Sequence, residues 1–337
     1  MTMRVHFDGF AGARVALNDT TARIPVSPLD VARAAALTCG PAPALDPLRR
    51  LMRLGAFALE ILAHLDFDSH GNLAVVGLAG LEPTAKSELS QRLGVGIARV
   101  VAETTDIGLV DLYALHALSR SSATPKVLFR GPGSRRPDFV GADASGTWSV
   151  LEAKGRSAKG TLKGIRAKAH VQAQGVDFQD LLGRPIPIDM RIGSVARLNQ
   201  TGVDAWFEDP PASERSRAYA ADPDELLHAY YQPVRDLFEV YGPRLRGVSG
   251  ATKFGSAPLP GTNLSLAVHR RIAGAVSEEP DVLRAARAEL QDEIMEDRLD
   301  AVAVDDRQLS IGRDGLALLA DSEPVEMVSW FRELREL

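Results

Sequence analysis

Two acidic side chains and a lysine lie close together in the segment RRPDFVGADASGTWSVLEAKG, residues 135–155. Asp138 falls in an apolar stretch, and Glu152 and Lys154 follow a turn rich in glycine, alanine and serine. Alternate side chains of a strand share one face, so Glu152 and Lys154 should stand about 7 Å apart at the Cα level on the same side. If the two apolar stretches form a hairpin, Asp138 approaches Glu152 and the three side chains make one polar cluster.

The charges of this cluster indicate a chemistry. Two neighbouring carboxylates repel each other unless a proton or a cation lies between them. A hard divalent ion, Mg²⁺ or Mn²⁺, prefers oxygen ligands and retains several of its waters. With Asp138 and Glu152 as metal ligands, the ion would stabilise charge on a phosphate oxygen, and Lys154 would orient or activate a metal-bound water. The alternative is an incidental ion pair in a hairpin.

Basic residues are concentrated around the same segment. Residues 112–176 contain eleven lysines and arginines but only three acidic residues, a net charge of +8, which leaves −13 for the rest of a chain whose total is −5. A basic surface within an acidic protein is typical of contact with a polyanion, although a solvated face without a partner has the same composition. The predicted nucleic-acid-binding residues are Arg135, Arg136, Lys159, Lys163, Arg166 and Lys168.

Hydrophobic periodicity and turn residues predict an α/β protein in three regions. These are a mainly helical region at 1–84, a core at 85–206 and an α+β region at 207–337, with a Gly/Pro-rich link at 242–262. We predict helices near 28–38, 46–64, 83–103, 108–119, 161–178, 223–240 and 280–298 and after Pro324, strands near 73–78, 126–130, 136–141, 147–154 and 191–198, and a hairpin near 300–319.

Pro137-Asp138, followed after thirteen residues by Glu152-Ala153-Lys154, resembles the signature of the PD-(D/E)xK nucleases, the restriction-endonuclease-like superfamily. The resemblance covers roughly residues 85–206. It implies a core of one helix, three antiparallel strands, a second helix and a further strand, in a mixed sheet flanked by helices. It also implies that Asp138, Glu152 and Lys154 are catalytic.

Two further features of that family have only partial counterparts. Many members add an acidic residue from the first helix, for which Glu88 and Glu103 are both candidates. Some carry Gln-x-x-x-Tyr on the second helix; Gln174-Gly-Val-Asp-Phe178 differs in having phenylalanine, and Gln172 is also near. His170 is predicted to be a polar surface residue.

The resemblance implies a Mg²⁺-dependent nuclease that acts on DNA in preference to RNA, in restriction, repair or anti-phage defence. A second copy of the chain or a defence-complex protein could be its partner. One alternative is a non-catalytic nucleic-acid-binding or assembly protein on the same fold. Another is a nucleotide hydrolase that uses the P-loop-like stretch Gly80-Leu-Glu-Pro-Thr-Ala-Lys86-Ser87, which has alanine where the second glycine belongs.

Other features bound the class of protein. His64 to Gly71 resembles the start of a metal loop but has glycine at position 77, where a calcium loop requires glutamate, so we expect a turn. Cys39 is the only cysteine, which excludes an intrachain disulfide. The absence of a signal-peptide pattern and of a long apolar run predicts a cytoplasmic protein without a membrane segment.

Overall fold

The structure of the protein is a computed structural model. Within the described residues the protein is mixed α/β, as predicted, with a large mixed sheet flanked by helices. Among these residues no helix is both long and apolar enough to cross a membrane. The structure describes residues 2–39, 45–115, 128–129, 137–157, 161–211, 217–248, 251–300 and 308–320.

The main sheet has seven strands drawn from distant parts of the sequence. The first strand runs parallel to its neighbour from residues 202–208, and the strand at 188–199 runs parallel to that at 148–156, whereas the other neighbours are antiparallel. In spatial order the strands are β2 (Thr20–Pro25), β1 (Thr2–Asp8), β12 (Gly202–Glu208), β11 (Ile188–Asn199), β8 (Trp148–Arg156), β7 (Phe139–Asp143) and β5 (Leu109–Ala114).

Helices cover the two faces of this sheet differently. Helices α1 (Pro28–Cys39) and α3 (Pro83–Thr104) bury one face in the largest hydrophobic cluster, and α2 (Pro47–Leu62) packs on α1. Helix α4 (Lys163–Gln174) packs on the opposite face, over β8 and β11. Burial alternates along β12, where Val203, Ala205 and Phe207 are buried towards α1 and α3. The second face of the sheet is therefore the more open one.

The remaining elements surround the main sheet. A four-stranded sheet comprises β10 (Pro185–Ile186), β9 (Val176–Gln179), β13 (Arg217–Ala220) and β6 (Leu128–Phe129), and a hairpin comprises β3 (Leu65–Phe67) and β4 (Leu73–Val75). A five-stranded antiparallel sheet comprises β14 (Arg246–Val248), β15 (Ala251–Pro258), β16 (Leu264–His269), β18 (Leu316–Ala320) and β17 (Gln308–Ile311). The other α-helices of the described residues are α5 (Pro223–Tyr230), α6 (Gln232–Tyr241), α7 (Arg270–Ala275) and α8 (Pro280–Asp300).

Several predicted elements are confirmed and others are wrong. The predicted helix near 108–119 is wrong, because residues 109–114 form β5, and all six of its residues are buried. A strand buried on both faces lacks the alternation that identifies strands in a sequence. The predicted helix at 161–178 ends at Gln174, and the predicted link at 242–262 contains β14 and β15. The predicted helix at 223–240 is divided into α5 and α6.

The strand predicted near 126–130 has a different role from the expected one. Its described residues, 128–129, pair with β13 in the four-stranded sheet, and the strand beside β7 in the main sheet is β5 instead. The helix predicted after Pro324 lies outside the described residues. Two strands of the main sheet, β1 and β2, come from the predicted region 1–84, and β12 ends at Glu208, beyond the predicted boundary at residue 206. The division into three regions therefore stays a prediction.

Candidate active site

The β7–β8 hairpin brings Asp138 beside Glu152. Phe139 pairs with Leu151, which places Asp138 opposite Glu152 just before β7 begins. The backbone N–H of Asp138 donates a hydrogen bond to Oε2 of Glu152 at 2.9 Å, and the Asp138 carbonyl accepts one from the N–H of Leu115 at 2.9 Å. Backbone contacts on both sides thus hold Asp138 in place although it lies outside the strand.

Lys154 completes the site cluster, by which we mean Asp138, Glu152 and Lys154. Its Nζ lies 3.4 Å from Oδ2 of Asp138 and contacts Oε1 of Glu152. The side chain of Glu152 is 0% exposed, whereas that of Asp138 is 20% and that of Lys154 is 27% exposed. The cluster is therefore closed at Glu152 and open to solvent at the other two residues.

This geometry shifts the titration of the glutamate. Burial, followed by the nearby charge of Asp138, raises the pKa of Glu152 to about 8, although Lys154 acts in the opposite direction. Burial lowers the pKa of Lys154, but Glu152 and Asp138 more than offset this and hold it above its usual value. One ammonium facing two carboxylates leaves one negative charge over, so the site cluster favours an additional proton or cation.

A close contact of two glycines sets the position of the β8 end that carries Lys154. Gly94 of α3 lies against Gly155 of β8, and a Cβ atom on Gly155 would collide with the backbone carbonyl of Ser90. A Cβ on Gly94 would collide with the backbone at Gly155 in turn. Because neither position accepts a side chain without a backbone shift, α3 lies directly against the strand from which Glu152 and Lys154 project.

The sheet register extends the site to β12. Glu152 is opposite Gly193 on β11, which is opposite Glu208 on β12, so all three point to the face that α4 covers. His170 of α4 lies over Gly193. Arg166 and His170 both contact the carboxylate of Glu208, which is 7% exposed. These contacts anchor α4 beside the site cluster.

Glu208 cannot be identified from the sequence alone, because its place depends on the register between β11 and β12. The predicted phosphate contact of Arg166 now competes with an ion pair to Glu208. Lys163 and Lys168 are exposed on α4, as a phosphate-binding role requires. Arg135, Arg136 and Lys159 lie outside the described residues.

The two acidic candidates of α3 both contact arginines. Glu88 is 62% exposed and lies 3.8 Å from Arg92. Glu103 is buried between Arg33 and Arg99, at 2.5 and 2.6 Å. Neither contact involves Asp138, Glu152 or Lys154.

The glutamine candidates lie in the last turn of α4. Gln172 and Gln174 are half-exposed there. Phe178 is a buried residue of β9, so the pattern Gln174 to Phe178 does not lie on one helix as predicted.

The other candidate motifs have structural explanations. Glu82 caps α3 by accepting hydrogen bonds from the N–H groups of Thr84 and Ala85 at 2.9 and 3.2 Å, so the groups that would bind a phosphate already have a carboxylate. Asp68 accepts hydrogen bonds from the N–H groups of His70 and Asn72 in the turn between β3 and β4, as predicted. Burial raises the pKa of Cys39 to about 12, so its thiol stays protonated at neutral pH.

The described residues contain no group of three or more His, Cys, Asp and Glu side chains arranged to hold a metal ion. Comparisons with protein-family models, curated proteins and solved structures give no match.

Proposed function

We propose that the protein is a metal-dependent nuclease of the PD-(D/E)xK type that hydrolyses phosphodiester bonds in DNA. The observation that carries the proposal is the surplus carboxylate of the site cluster. Glu152 is fully buried beside Asp138, and the two carboxylates share Lys154 as their counter-charge. The pKa of Glu152 is raised to about 8. Strongly perturbed carboxylates at a partly open position are characteristic of functional sites.

The residues of the cluster fit a Mg²⁺ or Mn²⁺ ion. Mg²⁺ is usually held by one or two carboxylates together with waters and substrate phosphates, so a third protein carboxylate is not required. Asp138 and Glu152 supply two carboxylates on adjacent strands, and Asp138 reaches solvent where a phosphate could approach. When bound, the ion would stabilise charge on the scissile phosphate and lower the pKa of water.

Each residue of the site cluster, and two lysines of α4, would then have a distinct role. Asp138 and Glu152 would hold the ion, and the N–H of Asp138 fixes the orientation of the Glu152 carboxylate through its hydrogen bond at 2.9 Å. Lys154 balances one of the two carboxylate charges, and its partly exposed ammonium would orient the attacking water. Lys163 and Lys168 of α4 contact the phosphate backbone from the adjacent helix.

The order of elements supports the same proposal. Helix α3 is followed by the mutually antiparallel neighbours β5, β7 and β8, then by α4 and by β11, which is parallel to β8. This is the order expected of the family core. Glu152 and Lys154 lie on its third strand and Asp138 comes just before its second, in the same order along the chain as in the family signature.

Cleavage assays with purified variants test the proposal. Wild-type protein should degrade plasmid, linear or single-stranded DNA with Mg²⁺ or Mn²⁺ and not with EDTA, with RNA as a comparison substrate. Asp138→Asn, Glu152→Gln and Lys154→Ala should each reduce the rate by about a thousandfold or more, which corresponds to about 4 kcal/mol of transition-state stabilisation. Asp281→Asn, at a side chain that is 93% exposed on α8, is the matched control and should cleave normally.

Undiminished cleavage by Glu152→Gln would refute the assignment. Tight DNA binding by the wild-type protein, without cleavage under any metal condition, would instead indicate a non-catalytic nucleic-acid-binding protein on the same fold.

A further inference from the structure

The more open face of the main sheet extends from the site cluster across five strands, of which α4 covers β8 and β11. Residues directly opposite each other on neighbouring strands point to the same side. The register therefore divides the side chains of this face into rows that cross the sheet. The acidic row comprises Glu152, Gly193, Glu208 and Asp8. The middle row comprises Lys154, Val195, Trp206, His6 and Thr21. The basic row comprises Arg156, Arg197, Asp204, Arg4 and Arg23.

The middle row contains an aromatic stack. The rings of Trp206 and His6 are 5.0 Å apart and inclined by only 12°. The guanidinium of Arg197 lies 5.4 Å from the centroid of Trp206. Both rings are half-exposed, and His6 is held by a contact of 2.9 Å between its Nδ1 and the hydroxyl of Thr21. The stack is thus fixed in place and reaches solvent.

The basic row runs alongside this stack. It has four arginines and one aspartate, and Arg4 donates a hydrogen bond to that aspartate, Asp204, at 2.6 Å. The side chain of Arg4 is 55% exposed, and Arg23 and Arg156 at the two ends of the row are also exposed. With strands about 4.8 Å apart, the row extends about 19 Å across the sheet. Its net charge of three positive units complements a phosphate backbone.

We propose that this face, which we call the arginine–tryptophan platform, binds single-stranded nucleic acid and delivers it to the site cluster. Its residues are Arg156, Arg197, Arg4, Arg23, Trp206 and His6. Bases stack on Trp206 and His6, and the arginines contact phosphates. The inference rests on the proposed nuclease function only for what happens at Glu152; it deepens that function by naming a single strand as the substrate.

The chemistry of the platform selects a single strand over a duplex. Stacking on an aromatic side chain requires the open face of a base, which a duplex hides within its own stack. An aromatic platform beside a basic track is the general design of single-strand binding surfaces. Trp206 lies two strands across and two residues along from Glu152, a Cα separation of about 12 Å, so a base on Trp206 would lie only a few nucleotides from the bond to be cut.

Tryptophan fluorescence tests the stacking. The chain has three tryptophans, at positions 148, 206 and 330. Oligothymidylate should quench the fluorescence of the Glu152→Gln protein without metal, and Trp206→Phe in that background should remove most of the quenching. Trp148→Phe, at a side chain buried in the core, and Trp330→Phe are the matched controls and should retain it. Equal quenching with and without Trp206 would overturn the proposal.

Affinity measurements test the platform as a whole. Trp206→Ala should weaken oligothymidylate binding about tenfold or more, and Trp206→Phe should restore part of the loss. Arg23→Ala combined with Arg156→Ala should reduce the slope of log affinity against log salt by about 1.4. Arg49→Ala with Arg53→Ala, which removes the same charge from exposed positions on α2, should leave the slope unchanged. Equal effects of the two pairs would overturn the assignment.

The outcomes distinguish this inference from the nuclease assignment. Binding that depends on Trp206, with no cleavage by the wild-type protein, keeps the platform and refutes the nuclease. Metal-dependent cleavage of duplex DNA that is indifferent to Trp206 and to the arginine row keeps the nuclease and refutes the platform. Preference for duplex over oligothymidylate by the Glu152→Gln protein also refutes it.

Discussion

The protein contains two clusters of charged side chains, one partly exposed to solvent and one fully buried. The first is the site cluster, with two carboxylates and one ammonium, open to solvent on one side. The second, which we call the buried network, consists of Arg33, Arg99, Glu103 and Asp314, and none of its side chains is more than 2% exposed. The buried network is electrically balanced, and the site cluster is not.

The geometry of the buried network explains why it can be sealed. Glu103 receives Arg33 at 2.5 Å and Arg99 at 2.6 Å, and Arg99 reaches Asp314 at 2.5 Å. Arg33 donates a further hydrogen bond to the hydroxyl of Ser310, and the hydroxyl of Tyr230 donates one to Asp314. Because every charge has an opposite charge beside it, the network needs no outside ion. It joins α1, α3 and the turn between β17 and β18, which is a structural task.

The comparison shows that burial of a carboxylate does not by itself indicate a functional site. Glu103 and Glu152 are equally inaccessible, but Glu103 has two guanidinium partners, whereas Glu152 shares one lysine with a second carboxylate. Surplus charge and partial access to solvent distinguish the site cluster.

The largest effect on stability is expected in the buried network. Glu103→Ala leaves the two buried guanidiniums of the network with a single carboxylate, that of Asp314. The free energy of unfolding should therefore fall by about 3–5 kcal/mol. Urea denaturation measures it. Glu88→Ala, an exposed position on the same helix, is the control and should change stability by no more than about 0.5 kcal/mol. A Glu103→Ala protein as stable as the control would show that the network does not hold the fold together.

In the site cluster the corresponding change should stabilise the protein. The pKa of Glu152 is about 8 in the fold and near 4.5 in an unfolded chain, so the folded state binds the extra proton and loses stability as pH rises between these values. Glu152→Gln removes that loss. It should be more stable than wild type by about 2–4 kcal/mol at pH 9, with a smaller difference at pH 5.

Urea denaturation across this pH range provides the measurement. Asp281→Asn, on an exposed face of α8, should follow the wild-type curve throughout. A pH-independent difference between Glu152→Gln and wild type would mean that the carboxylate does not hold a proton in the folded state.

A divalent ion should have a smaller but selective effect. Mg²⁺ or Mn²⁺ should raise the melting temperature of the wild-type protein and not that of Glu152→Gln. Since the ion would have to displace the proton of Glu152, the affinity of the protein for Mg²⁺ or Mn²⁺ should fall about tenfold for each pH unit below the pKa of about 8. Calorimetry at several pH values measures this affinity. An affinity that does not change with pH would contradict competition between the ion and the proton.

The smallest effect is expected at Lys86, in the P-loop-like stretch. Glu82 already accepts hydrogen bonds from the first N–H groups of α3, so no phosphate is needed there. Lys86→Ala should leave cleavage and stability almost unchanged, and calorimetry should detect no ATP or GTP binding. Micromolar nucleotide affinity that disappears in the variant would instead favour a nucleotide hydrolase.

The sequence predicted the centre of the site because the information there is local. Asp138, Glu152 and Lys154 belong to one hairpin, and the two-residue period of a strand is enough to put the latter two on the same face. The basic helix α4 was predicted for the same reason, from its short-range pattern of lysines. The predicted end of α4, at residue 178, is four residues too late, because the helix ends at Gln174 and β9 begins at Val176.

Features that depend on distant pairing could not be predicted. Glu208, Trp206 and His6 reach the open face only through the register of β1, β12 and β11. The pairing of Glu103 with Arg99, four residues apart on α3, is visible in a sequence, but the arrival of Arg33 from α1 is not. Strand β5 was taken for a helix because both of its faces are buried, which removes the alternation of polar and apolar residues.

The parallel pairing of β1 with β12 joins positions about 200 residues apart, as the contact of Arg4 with Asp204 illustrates. At ribosomal rates of about 5–20 residues per second, β1 waits roughly 10–40 s for its partner strand to be synthesised. During that interval β1 has a free edge, and unpaired edges of this kind favour aggregation. Biosynthesis therefore sets an order of events: the Trp206–His6 stack is assembled late, so a nascent chain already containing Asp138 and Glu152 still lacks the surface proposed to deliver a substrate to them.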